Sequence, residues 1–171
     1  IVIGPGIKSG IAINMDDPRT VGSDLIATAA GAADEYGAPV IIIDIGTATT
    51  ITTVNESKAY IGGVIMPGVQ VSVDSLASRT AQLPRISIDA PGKIIGRNTI
   101  ESMQSGIIYG NASCIDGMIE RFTEEMGLDE PIKVVATGGM SNIIVPHCKK
   151  DIIIDQDLLL KGLRIIYNKN I

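Results

Sequence analysis

Residues 44–50 read DIGTATT: a carboxylate at the end of an apolar run, then a glycine and a series of hydroxyl side chains. An aspartate in the position of Asp44 is costly unless it is paired, hydrogen-bonded or bound to a cation. The turn behind it, Gly46 and Thr47, offers backbone N–H groups and a hydroxyl that could cradle a phosphate. A second stretch, VVATGG (134–139), repeats the logic of a buried strand, a hydroxyl and then Gly138 and Gly139. Paired glycines there let a planar base or ribose lie against the backbone. Each motif also has a plain structural reading. Asp44 could bond the backbone of its own turn, and the glycines could simply end a strand.

Spacing excludes two familiar phosphate loops. A P-loop needs a lysine and a helix after it, and the dinucleotide loop needs G-x-G-x-x-G opening a helix. The residues after Gly46, TATTITTV, favour a strand. The turn is therefore strand–turn–strand, and a hairpin rather than a helix terminus would have to hold any phosphate.

The elements that must position these turns are legible as alternating apolar patterns. VIIIDIG (40–46), ATTITTVNES (48–57) and KAYIGGVIMPG (58–68) predict three strands in a meander, IKVVATGG (132–139) a fourth, and DIIID (151–155) a short fifth. Helices are expected over 23–37 with Ser23 as N-cap, over 69–83, over 98–127 and over 155–170. The first should bury Leu25, Ile26, Ala29, Ala30 and Ala33. The long third helix opens on Asn98 and Glu101 in capping-box order, and should bury Ile100, Met103, Ile107, Cys114, Met118 and Phe122. PRISIDAPGK (84–93) reads as a loop. The fold class is α/β, a mixed sheet flanked by helices.

Composition narrows the function classes. The chain has 171 residues, 45% hydrophobic and 3% aromatic, with a net charge of −5. An acidic balance without a basic stripe or aromatic platform disfavours nucleic acid. No apolar run approaches the ~20 residues of a membrane span, and no signal peptide is visible, so a cytoplasmic protein is expected. Cys114 and Cys148 lack metal-type spacing, and Cys148 beside the lone His147 reads as a reduced thiol. The opening IVIGPGIKSG looks like a strand entering a loop without an initiator methionine, as though a longer protein preceded it.

The two glycine turns resemble the phosphate and adenosine motifs of the actin-like, sugar-kinase and Hsp70-like ATPase superfamily. Within it, GPGIKSG (4–10), DDPRTVGSD (16–24), DIGTATT (44–50) and GRNTIESMQSGIIYG (96–110) resemble type III pantothenate kinases. GGVIMPG (62–68), LPRI (83–86), TGG (137–139) and LKGLRIIY (160–167) extend the likeness along the chain. The resemblance implies an actin-like, ribonuclease H-like lobe over 39–171, preceded in 1–38 by the end of an N-terminal lobe and a connecting helix. It implies ATP-dependent phosphorylation of pantothenate, the first step of coenzyme A synthesis, with Mg2+ and a monovalent cation, K+ or NH4+, in a homodimer.

Residue by residue, the resemblance makes Asp24 the catalytic base, with Gly22, Ser23, Leu25, Met15 and Thr99 around pantothenate. Asp44 holds the monovalent cation, and Gly46 and Thr47, with Gly138 and Gly139, contact ATP. Read alone, Asp24 could equally be a helix N-terminal carboxylate favoured by the dipole, and Thr99 an ordinary first-turn residue. Gly106, Gly110 and Ala112 on the long helix would permit close approach at a dimer interface.

Two positions depart from the family pattern. Leu25 stands where an arginine usually comes after the catalytic aspartate, and Met15 where a tyrosine commonly lines the pantothenate pocket. Lys8, Arg19 or a partner subunit is expected to compensate. The family's N-terminal D-x-G-N-T phosphate motif does not occur, so the 171-residue chain alone is expected to be inactive. The alternative is a non-catalytic accessory or transcription-regulator-like paralogue on the same fold.

Overall fold

The computed structural model describes residues 3, 4, 6–128 and 132–171. Of the strand expected at the start of the chain, Ile1, Val2 and Pro5 lie outside the described residues; the rest is irregular up to β1 (Ala12–Ile13). After it come α1 (Ser23–Glu35), β2 (Val40–Ile45), β3 (Ala48–Val54), β4 (Ala59–Pro67), α2 (Val69–Arg79), α3 (Thr99–Glu125), β5 (Lys133–Thr137), α4 (Ser141–Ile144), β6 (Ile153–Ile154) and α5 (Leu158–Lys169). The six strands form one sheet in the order β1-β4-β3-β2-β5-β6. β2, β3 and β4 are an antiparallel meander, whereas β5 joins β2 and β6 joins β5 in parallel. A meander continued by parallel strands is the ribonuclease H-like arrangement, so the expected α/β class and the three-strand hairpin both hold.

β2 explains why the sheet is central. Its run of isoleucines is buried on both faces, as a strand covered by helices on two sides must be. On one face Ile41, Ile43, Ile45 and Ile51 pack with Val69 and Val73 of α2 and with Ile107, Ile108, Ala112, Ile115 and Ile119 of α3. On the other, Val40, Ile42, Val54, Tyr60 and Val135 pack with Ala29, Ala32 and Ala33 of α1 and Leu158 of α5. Helices therefore cover both faces, and α1 and α5 lie against each other.

Three local expectations are corrected. The N-cap of α1 is Gly22, not Ser23; Ser23 is already helical and its side chain makes no capping bond. In α3, Asn98 does cap, accepting from the Glu101 N–H at 2.9 Å, but the Glu101 carboxylate accepts from the Arg97 N–H instead of closing the box on Asn98. On α3 the expected Met103 and Ile107 are buried and Met118 and Phe122 pack against the core, but Ile108, Ala112, Ile115 and Ile119 carry the rest of the buried stripe and Ile100 and Cys114 are exposed. A true 3.6-residue period drifts off the stripe that starts at Ile100. Ala112, expected on a dimer face, is consequently 1% exposed in the core, whereas Gly106 and Gly110 remain at the surface.

Candidate functional site

Asp44 occupies the last turn of side chains on β2, on the α1 face of the sheet, opposite Thr50 of β3 and Thr137 of β5. It is half-buried, and among the described residues no cation lies within ion-pairing distance. Burial first, and then the negative charge of Asp24, push its carboxyl above the usual carboxylate range. A carboxyl in that state favours its neutral form unless a positive charge is brought to it.

The hairpin behind it is tight. Gly46 and Thr47 link β2 to β3, with the Gly46 N–H bonded to the Ala48 carbonyl at 3.1 Å. Gly68, the N-cap of α2, donates to the Thr47 carbonyl at 3.1 Å, and a Cβ there would strike the Gly46 and Thr47 carbonyls. The turn is thus held from behind by a glycine, and Thr47 stays exposed at its tip.

The second glycine turn meets the first. Gly138 has φ +92°, and a Cβ on it would stand 2.5 Å from Asp44 Oδ1 and 2.7 Å from the Ile45 carbonyl oxygen. The Met140 N–H donates to that same carbonyl at 3.1 Å, which ties the turn to the end of β2. Gly139 is exposed and has open space where a side chain would be. Asp44, Gly46, Thr47, Gly138 and Gly139 therefore gather at the carboxyl ends of the adjacent parallel strands β2 and β5, where open α/β sheets bind ligands.

Asp24 approaches from α1. Its Oδ1 lies 2.5 Å from where a Cβ on Gly22 would stand, so its carboxylate folds back over the glycine that caps the helix. Its charge raises the pKa not only of Asp44 but of the phenol of Tyr60, for which burial is the larger cause. Sequence reasoning missed Tyr60 and Gly68; the first lay inside a strand pattern, and the second at the end of GGVIMPG.

The remaining expected residues divide. Leu25 and Met15 are half-buried against the cluster of Ala29, Ile42, Val54 and Tyr60, and the Met15 sulfur lies 3.2 Å from the Cβ position of Gly62. Both act as apolar wall. Ser23 lines a small cavity with Ser9, Val21, Ile26 and Arg19. The Arg19 guanidinium is exposed and paired with Asp17, its Nε 2.9 Å from the carboxylate, which leaves other N–H donors free. Lys8 is exposed. Thr99 opens α3, where it lines a shallow surface hollow with Gln82, Pro84, Asn98, Ile100 and Glu101.

The donor set suits cations held partly by a ligand. Among the described residues no cluster of three or more His, Cys, Asp or Glu side chains is arranged to hold a metal, but Mg2+ is commonly bound by one or two carboxylates plus substrate phosphates. Cys148 is disfavoured as a thiolate. Burial, with a smaller contribution from Asp116, pushes its thiol up to about 12.

Fold and topology define an α/β lobe in which a mixed six-stranded sheet is covered by helices on both faces. The family model described as type III pantothenate kinase matches residues 1–121, so the chain belongs to that family. A curated protein of Halalkalibacterium halodurans, a type III pantothenate kinase, is 47% identical over all 171 residues, and the chain spans 66% of its length. A crystal structure from Campylobacter jejuni, described as a conserved putative Baf family transcriptional activator, superposes with a TM-score of 0.66 at 20% identity, over 95% of this chain and 70% of the other. At that identity the likeness concerns the fold. Among the described residues no helix is long and apolar enough to cross a membrane.

Proposed function

We propose that the full-length protein is an ATP-dependent kinase that phosphorylates pantothenate to 4′-phosphopantothenate, the entry to coenzyme A synthesis, in the cytoplasm. The observation that supports this most directly is the meeting of two glycine turns on a half-buried, unneutralised Asp44 in a chain of this family. Phosphoryl transfer asks a protein mainly for positioning and charge neutralisation. Gly46 and Thr47 hold the phosphates of ATP, and Gly138 and Gly139 its adenosine. Bound Mg2+, and K+ or NH4+ against Asp44, supply the positive charge that offsets the phosphates. Asp24 orients the primary hydroxyl of pantothenate and takes its proton on a carboxylate oxygen.

Gly22, Ser23, Leu25 and Met15 shape the acceptor pocket. Thr99, at the start of α3, contributes to the acceptor pocket of a second copy in a homodimer. The lost arginine at Leu25 is offset by Arg19, or by the partner. The deciding assay is pantothenate-dependent ADP release by the full-length protein, with and without K+. Turnover stimulated by K+ is expected. No turnover at millimolar pantothenate overturns the reading and leaves a non-catalytic accessory protein.

A further inference from the structure

The carbonyl of Gly138 is held by three donors. The Ser141 N–H reaches it at 3.1 Å, the Ser141 hydroxyl at 2.8 Å and the Gln156 side-chain amide at 3.4 Å. Gln156 also donates to the Ser141 hydroxyl at 2.6 Å, so hydroxyl and amide form one chain of bonds ending on the same oxygen. Ser141 is fully buried, whereas Gln156 is exposed and stands just ahead of α5. Three donors thus converge on one carbonyl of a half-buried turn whose Gly139 is exposed.

Its consequence lies across the peptide bond. The Gly138–Gly139 bond is not among the cis peptides, and a trans peptide is planar with its N–H opposite its C=O. Pinning the Gly138 oxygen toward Ser141 and Gln156 aims the Gly139 N–H away from them. Among the described residues no backbone acceptor meets that N–H, Gly139 is exposed, and the position a Cβ on it would take is open.

We propose that Gln156, acting through Ser141, is a positioning residue that fixes the Gly138–Gly139 peptide so that the Gly139 N–H is presented to the nucleotide. This rests on the kinase reading, because it assigns the nucleotide to these turns. Unlike a general structural role, it predicts an effect confined to one substrate. A carboxylate at 156 cannot donate and would repel the Gly138 carbonyl, so Gln156→Glu should act more strongly than Gln156→Ala.

The test is a titration of 15N-labelled full-length protein with a non-hydrolysable ATP analogue, together with steady-state kinetics. The Gly139 amide proton is expected to move downfield on saturation. Loss of one hydrogen bond at Gln156→Ala should raise the analogue Kd and the ATP KM about 2–10-fold, with the pantothenate KM left within twofold and a larger ATP effect for Gln156→Glu. Gln156 is exposed, so neither variant threatens folding. Wild-type ATP KM in both variants overturns the proposal, as does an unmoved Gly139 amide when the 44–50 amides shift. If no amide shifts and pantothenate is not phosphorylated, the kinase reading itself has failed and takes this one with it.

Discussion

Asp44 Oδ1 lies 2.5 Å from the point where a Cβ on Gly138 would stand. Two turns far apart in the chain are therefore fitted to each other with no room for a side chain. Gly138 also carries a φ of +92°, a region that L side chains rarely adopt. Gly138→Ala should cost about 1–3 kcal/mol through strain and displacement. That corresponds to a Tm loss of at least about 2 °C, accompanied by weaker nucleotide binding. Calorimetric unfolding and nucleotide titration read both. A variant with wild-type Tm and affinity would show that the two turns are not coupled.

Asp44 is held above its ordinary pKa by burial and by the charge of Asp24. A carboxyl with a raised folded-state pKa is better accommodated when protonated. Its favourable contribution is present below the unfolded value and is lost as pH rises through the folded value. At neutral pH the ionised group therefore opposes folding. Asp44→Asn is expected to raise Tm at pH 7 and abolish turnover, a trade of stability against function. The Tm difference should shrink as pH falls into the carboxylate range. Thermal melts of both proteins across pH 4–8 check this, and a lower Tm for Asp44→Asn at pH 7 would contradict it.

Asp24 is exposed and stands in the first turn of α1. If its only role were to favour the helix dipole, Asp24→Asn would cost about 0.3–1 kcal/mol of stability and leave kinetics alone. As the base it should cost about 10²–10⁴-fold in kcat. The two readings separate cleanly when kcat and Tm are measured on the same preparation. Wild-type kcat removes Asp24 from the mechanism.

How far the sequence could be read depended on the range of each interaction. The hairpin from Val40 to Val54 was legible because β-branched runs and a glycine turn are local signals, and Asp44 stood out as a carboxylate in an isoleucine strand. The cap at Gly22 was not, because serine and glycine are both acceptable N-caps and only backbone geometry chooses between them. The stripe on α3 was legible at Met103, Ile107, Met118 and Phe122 but not at Ile100 and Cys114, because its apolar residues fit two registers until the sheet selects one. Contacts between distant positions left no local pattern at all. Asp155 accepts from the Tyr36 hydroxyl at 2.7 Å, across 119 positions, and from Lys161 at 2.8 Å.

The packing of α1 on α5 makes Gly162 a decisive position. A Cβ on Gly162 would collide with the backbone of Ala27, and one on Gly31 would stand 2.6 Å from the Leu158 carbonyl oxygen. The two helices thus meet backbone to backbone. Helix propensity alone predicts that Gly162→Ala stabilises the protein by about 0.5–1 kcal/mol. Overpacking against rigid backbone predicts a loss of about 1–3 kcal/mol. The obstructing atoms are backbone and cannot rotate away, so the loss should win, lowering Tm by at least about 2 °C. Because α1 carries Asp24 at its start, the forced separation should also lower kcat, whereas an exposed alanine replacement at Leu160 of α5 should not. Melting and kinetics of the two variants, side by side, decide it: a Gly162→Ala protein more stable than wild type would mean that the helices can part freely, and that the contact does not hold Asp24 in place.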